Sequence, residues 1–176
     1  HNIRWTSEKI RQRLRLIEPL VYRRREPLSP FRYLELESPL VDPPVAADIE
    51  DAAWLTIPWG SYWGQPNTDF VLRTHFCVPS DWGTDAPVAL YLPLGQAGDF
   101  SHPEALAFID GRPLAACDRH HQEILLPPAL CDGAPHTLAL HGWTGGTHDL
   151  RFDPSSSASS PPSPPLLMGT CEGVQV

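Results

Sequence analysis

Twenty-one of the 176 residues are proline, and no other feature limits the possible folds so strongly. A proline inside a helix removes a backbone hydrogen bond and collides with the preceding turn. Long regular helices therefore cannot dominate this chain. The sequence is still 41% hydrophobic, enough for one sizeable core. Its apolar residues come in short runs bounded by Gly, Pro or Asp, which reads as a β protein. Strands are predicted over 53–57, 70–78, 88–94, 105–109, 123–126, 137–141 and 150–152. In the second of these, Val71, Arg73, His75 and Cys77 alternate with Leu72, Thr74, Phe76 and Val78, giving one polar and one more apolar face. Asp110-Gly111 is a strong hairpin turn, and Asp132-Gly133 marks another. Seven or more short antiparallel strands imply a β-sandwich. A jelly-roll topology is preferred.

The first 33 residues differ from the rest. They carry nine basic and three acidic side chains, a balance of +6, whereas residues 34–176 balance at −14. Ile10, Leu14 and Ile17 form one stripe of a helix that Thr6 or Ser7 can cap and Pro19 ends. Lys9, Arg11, Arg13 and Arg15 fill its other faces, and a basic hook, Tyr22-Arg23-Arg24-Arg25-Glu26-Pro27, follows. Arg23, Arg24 and Arg25 are candidates for ionic docking against an acidic neighbour. The organisation read from sequence is a helix and hook (1–33), a Pro/acidic connector (34–52), a β-sandwich (53–153), a Ser/Pro-rich linker (154–165) and a terminal strand or link (166–176). The chain opens on His rather than Met and closes without a terminal signal. A start upstream of His1 and a further domain downstream are therefore expected.

The acidic body argues against a nucleic-acid platform. No apolar run approaches the roughly 18 residues of a membrane span, and no signal-peptide pattern is present. Cys77, Cys117, Cys131 and Cys171 form no CxxC pair, which excludes zinc-ribbon and thioredoxin readings. Free thiols in a reducing, cytoplasmic compartment are the expectation.

Motifs for chemistry are sparse. Asp118-Arg119-His120-His121-Gln122-Glu123 is the densest group of potential ligands, but on a strand its members divide between two faces. It contains no HExxH. A turn into a strand, in which Asp118 or His121 bonds local backbone, is the preferred reading over a metal site. GxSxG and Walker sequences are lacking, and sequence cannot pair the many carboxylates as a glycosidase requires. No catalytic or metal residue is assigned. The aromatics say more: Trp54, Trp59, Tyr62 and Trp63 lie within ten residues, and Gly60 and Gly64 frame the last pair. They either pack a core or domain junction, at roughly 1.5–3 kcal/mol each, or stack on sugar faces.

Several segments, taken in order, resemble the N-terminal region of the alpha-mannosidases of glycoside hydrolase family 38, in the cytosolic-type branch. They are Ser7-Glu8-Lys9-Ile10-Arg11-Gln12-Arg13-Leu14; Tyr22-Arg23-Arg24-Arg25-Glu26-Pro27-Leu28; Gly60-Ser61-Tyr62-Trp63-Gly64; Phe76-Cys77-Val78-Pro79; Pro103-Glu104-Ala105-Leu106; Ile109-Asp110-Gly111; Asp118 with His121-Gln122-Glu123-Ile124; and Trp143-Thr144-Gly145. The resemblance spans about residues 6–152. It implies a helical hook and a galactose-binding-like jelly roll placed before a catalytic domain. Zinc and the carboxylate nucleophile of a retaining alpha-mannosidase would lie in that later domain, and no position here matches them. The implied partners are the catalytic domain, a homo-oligomer and glycan. Trp59, Tyr62, Trp63 and His121 are the candidate carbohydrate or domain-interface contacts. A free-standing carbohydrate-binding module, or a small enzyme of another kind, are the competing readings.

Overall fold

The computed structural model describes residues 6–17, 20–58, 60–82, 86–94 and 103–146, with the backbone of 166–167 and 174–175. The protein is mainly β with one N-terminal helix, α1 (Thr6–Ile17). Its strands are β1 (Arg25–Glu26), β2 (Phe31–Glu35), β3 (Leu55–Ile57), β4 (Tyr62–Trp63), β5 (Asp69–Cys77), β6 (Ala89–Tyr91), β7 (Glu104–Ile109), β8 (Arg112–Cys117), β9 (Glu123–Leu125), β10 (Pro135–Trp143), β11 (Leu166–Leu167) and β12 (Val174–Gln175). They pair antiparallel in an open six-stranded sheet, β3-β2-β5-β10-β7-β8, a four-stranded sheet, β1-β12-β6-β9, and a two-stranded pair, β11-β4.

Six of the seven strands read from sequence are present, with ends shifted by up to three residues. The seventh, 150–152, lies outside the described residues, as does the Ser/Pro run 154–165. Phe31–Glu35, which the sequence reading divided between hook and connector, form β2 instead: Phe31 and Tyr33 point inward and are buried. A single strand was expected over 166–176. The backbone of 166–167 pairs with β4 and that of 174–175 pairs with β1 and β6; residues 168–173 and 176 lie outside the described set.

One core joins the two larger sheets. Phe31, Phe70, Leu72, Leu138 and Leu140 come from the six-stranded sheet, and Leu90, Leu92, Ile124 and Leu126 from the other side. The alternation read in β5 holds, with Leu72, Phe76 and Val78 facing this core. Its opposite face is also buried at Val71 and Arg73, because the connector between β2 and β3 arches over it. The Arg73 side chain, 1% exposed, forms an ion pair with Asp51 at 3.0 Å. It also donates to the carbonyls of Ala46 at 2.7 Å and of Pro44 and Ala47 at 3.4 Å. The connector is thus a strap pinned by one guanidinium. A planar guanidinium spreads five donors over a wide fork, whereas an ammonium gathers its three at one point.

The Asp110-Gly111 hairpin forms as read. Both residues have positive φ, 50° and 79°, as a two-residue turn of the primed type requires. Asp110 then reaches sideways: its carboxylate accepts from the backbone N–H of Thr137 at 2.9 Å and lies 2.7 Å from His136 Nδ1. The other ring nitrogen of His136 is 3.2 Å from Asp132 at the second turn. Ionised carboxylates can only accept, so a carboxylate at each ring nitrogen favours the doubly protonated imidazole. Burial opposes that charge. The hydrogen bonds and charges of Asp110 and Asp132 outweigh it and raise the His136 pKa above its ordinary value.

Helix α1 forms where its stripe predicts, with Glu8 in the first turn and Arg15 in the last, as the helix dipole favours. None of its residues is buried, and Ile10, Leu14 and Ile17 remain more than half exposed.

Candidate functional site

At one end of the six-stranded sheet β2 finishes, β5 starts and β10 finishes, and their ends enclose an open cleft of about 560 Å³. Glu35, Leu36, Glu37, Ser38 and Pro39 form one wall, and Asn67, Thr68, Asp69 and Trp143 the other. The second wall is built by a network that joins residues 65–68 to 143–145. Thr144 Oγ1 accepts from the Thr68 N–H at 2.9 Å and donates to the Gln65 carbonyl at 2.6 Å. The backbone N–H of Asn67 donates to the Gly145 carbonyl, and that of Thr144 to the Thr68 carbonyl. Asn67 itself sits at φ 59°, a conformation Asn tolerates better than most residues. From there its side-chain oxygen accepts from the Trp143 indole N–H at 3.2 Å. The indole, 37% exposed, is thereby fixed by its edge.

The charge in the cleft is one-sided. The carboxylates of Glu35, Glu37 and Asp69 make no hydrogen bond or ion pair with any described residue. A few residues along the first wall, Leu40 and Val41 are exposed. The arrangement offers an aromatic face, apolar neighbours and unneutralised acids. That suits a partner combining apolar surface with cationic groups.

The residues singled out in the sequence are distributed elsewhere. Trp63 is 3% exposed. Its indole N–H donates to the Leu94 carbonyl at 3.0 Å, and its ring packs edge-on against Tyr33 and Phe70, with centroids 5.8 and 4.8 Å away. At this position the ring packs in the core, the first of the two alternatives read from the sequence. Tyr62 is exposed next to it, and Trp59 lies outside the described residues. His121 is exposed and held by Asp118, whose carboxylate oxygen accepts from the backbone N–H groups of His120 and His121 at 2.6 and 2.7 Å and lies 3.0 Å from His121 Nδ1. Burial works slightly against the Asp118 charge, but these bonds win and bring its pKa down to about 2. The 118–123 group is thus a turn organised by one carboxylate. Among the described residues no three His, Cys, Asp or Glu side chains could hold a metal ion.

In the hook, Arg24 donates to the Asp81 backbone carbonyl at 2.8 Å and pairs with its carboxylate at 3.3 Å. The Arg25 guanidinium lies 5.2 Å from the centre of the Tyr22 ring, and Arg23 is exposed. Exposed pairs of this kind contribute about 0–1 kcal/mol and weaken in salt. Arg24 therefore sets where the hook lies more than it stabilises the fold.

Sequence reasoning named Arg73 and Trp143 only within longer runs and assigned no role to them or to His136. A signal existed for the first: a lone charge within Phe70-Val71-Leu72-Arg73 has to find a buried partner. No helix among the described residues is long and apolar enough to cross a membrane. No family model and no curated protein matches the chain.

Proposed function

We propose that this chain is the non-catalytic N-terminal β-domain of an alpha-mannosidase of the family 38 type, bracing the catalytic domain or its oligomer. The observation that carries this reading is the work done by the residues of the family-like segments. Trp63 plugs the core. Asp110-Gly111 turns a hairpin and clasps β10, and Asp118 organises the turn ahead of His121. Residues that share their order with the family here act as fixings of a scaffold. The chain's path supports a jelly roll of the galactose-binding type, since it crosses between the two larger sheets at β5–β6–β7 and again at β8–β9–β10. In this reading the enzyme is cytoplasmic, and zinc and the nucleophile belong to the catalytic domain. This chain supplies a rigid body against which that domain docks.

The test has two arms. The purified 176-residue chain is assayed with an aryl alpha-mannoside and its zinc content is measured; neither turnover nor stoichiometric zinc is expected. The coding sequence after Val176 is then read for a long continuation with an early His-x-Asp zinc pair. Turnover with one tightly bound zinc in the 176-residue chain would overturn the proposal. A stop codon directly after Val176 would also overturn it and favour a free-standing carbohydrate-binding module.

A further inference from the structure

Helix α1 and the acidic cleft are complementary surfaces, and among the described residues no α1 side chain lines the cleft. At about 100° per residue, Lys9 and Arg13 flank the Ile10–Leu14–Ile17 stripe on one side and Arg11 flanks it on the other. Each stripe residue is more than half exposed, and no residue of the helix is buried. A helix of 12 residues is marginal in water, and such helices are held mainly by packing an apolar face. The cleft has the opposite character: Trp143 and Pro39 with exposed Leu40 and Val41 beside them, and the carboxylates of Glu35, Glu37 and Asp69 left without a cationic partner among the described residues. A neutral sugar would use the indole face but leave those three charges unneutralised. A basic amphipathic helix answers both.

We propose that α1 of one copy docks in the cleft of a second copy, so that two chains exchange helices reciprocally. Chain geometry favours the second copy over the same one. Arg24 contacts Asp81 beyond the end of β5 opposite to the cleft, and the residues that follow it, Arg25–Glu26, are held by backbone pairing in β1. The Ser29 carbonyl, which accepts from Thr74 Oγ1, shows that the chain enters β2 from that same far end. From Asp69 to Cys77, β5 runs about 26 Å at roughly 3.3 Å per residue. The seven residue steps from Ile17 to Arg24 reach at most about 25 Å when fully extended. In the same copy they would have to be drawn straight merely to bring the last turn of α1 to the rim. A partner related by a two-fold axis presents its cleft without that demand. The resulting contact is isologous and closes at two chains. This inference stands apart from the mannosidase reading, because it uses only α1 and the cleft.

Mass measurement of the 176-residue chain in solution, over a range of protein and salt concentrations, tests it. The expected result is a dimer that dissociates on dilution and in high salt. Two charge-reversed chains sharpen the test: Lys9→Glu with Arg13→Glu in the helix, and Glu35→Lys with Glu37→Lys in the cleft. Each alone places like charges together and should weaken the dimer at least about tenfold. Mixed, each helix meets a cleft of opposite sign, and a heterodimer should form. Glu and Lys both favour helices, and the body's melting curve checks that the cleft variant is folded. Should that variant unfold, Leu14→Asp in α1 gives the same loss of dimer without touching the body. A monomer at every concentration would overturn the proposal, as would a dimer indifferent to both reversals, or a monomer in which α1 resists proteolysis.

Discussion

Replacing Arg73 by Met tests the strap that shapes the cleft's first wall. Met keeps most of the side-chain length in a buried site and removes the guanidinium. The loss comprises the 3.0 Å ion pair to Asp51, the 2.7 Å bond to the Ala46 carbonyl and two longer bonds to Pro44 and Ala47. The guanidinium's position over the Trp54 ring, 5.9 Å from its centre, goes too. Breaking a buried pair by deleting one partner costs about 3–5 kcal/mol. The strap carries few apolar anchors and can lift so that Asp51 and the carbonyls rehydrate, which puts the cost near 3 kcal/mol. At about 2–4 °C per kcal/mol for a chain of this size, melting should fall by about 6–12 °C. Arg73→Lys should fall between, since one ammonium can face Asp51 or the carbonyls but not both. Amide exchange locates the effect: strap amides such as Val45, which bonds the Pro43 carbonyl, should lose protection while β5 and β10 keep theirs. A Met variant melting within 2 °C of the parent, or losing protection evenly, would refute the assignment of Arg73 as the pin.

Three further outcomes follow from other sites. The His136 clasp makes stability depend on pH from both sides. His136 is raised above its ordinary 6.5, so its contribution is complete below about pH 6.5 and is lost as pH rises through the folded value; Asp110 and Asp132 are lowered, so theirs is complete above about pH 4 and is lost on acidification. Melting against pH should plateau between those limits, and His136→Asn should flatten the alkaline limb; an unchanged limb would remove His136 as its source. Gly142→Ala should destabilise by about 1–3 kcal/mol in denaturant titration, because a Cβ there would lie 2.8 Å from Ala105 Cα and closer still to the Glu104 carbonyl oxygen; equal stability would mean that β7 and β10 pair more loosely. Among the thiols, exposed Cys77 should react first with a thiol reagent, whereas Cys117, which burial and then the nearby Asp118 push up to about 12, should react only after unfolding. In denaturant without reductant four thiols should count, and a count of zero would mean two disulfides.

What the sequence made legible was local. A period of two in Val71–Val78, the left-handed preference of Asp110-Gly111 and the i, i+4, i+7 stripe of α1 each depend on residues a few positions apart, and each forms as read. Burial is different, because it depends on what the rest of the chain brings. Trp63 and Tyr62 are neighbours with the same aromatic signal, yet one is sealed against Tyr33 and Phe70 and the other faces solvent. Period two separates their faces, but only the sheet on the other side decides which face is inside.

The same distinction explains why the densest chemical run was the least informative. Asp118 through Glu123 attracts attention by count, and its interactions close within three residues as a turn. The groups that shape the cleft and the clasp stand alone in sequence and meet across it. Arg73 finds acceptors 22 to 29 positions earlier, Asp110 finds His136 26 positions later, and Trp143 finds Asn67 76 positions away. An isolated charge in an apolar strand was therefore the better pointer, since a buried ion must recruit its partner from somewhere. For Arg73 that partner is the acidic connector. Its prolines exclude regular helix, and its carbonyls, unused by any sheet, are free to accept from the guanidinium. The strap holds its shape because Arg73 beneath it satisfies acceptors of Pro44, Ala46, Ala47 and Asp51 that no described strap residue satisfies.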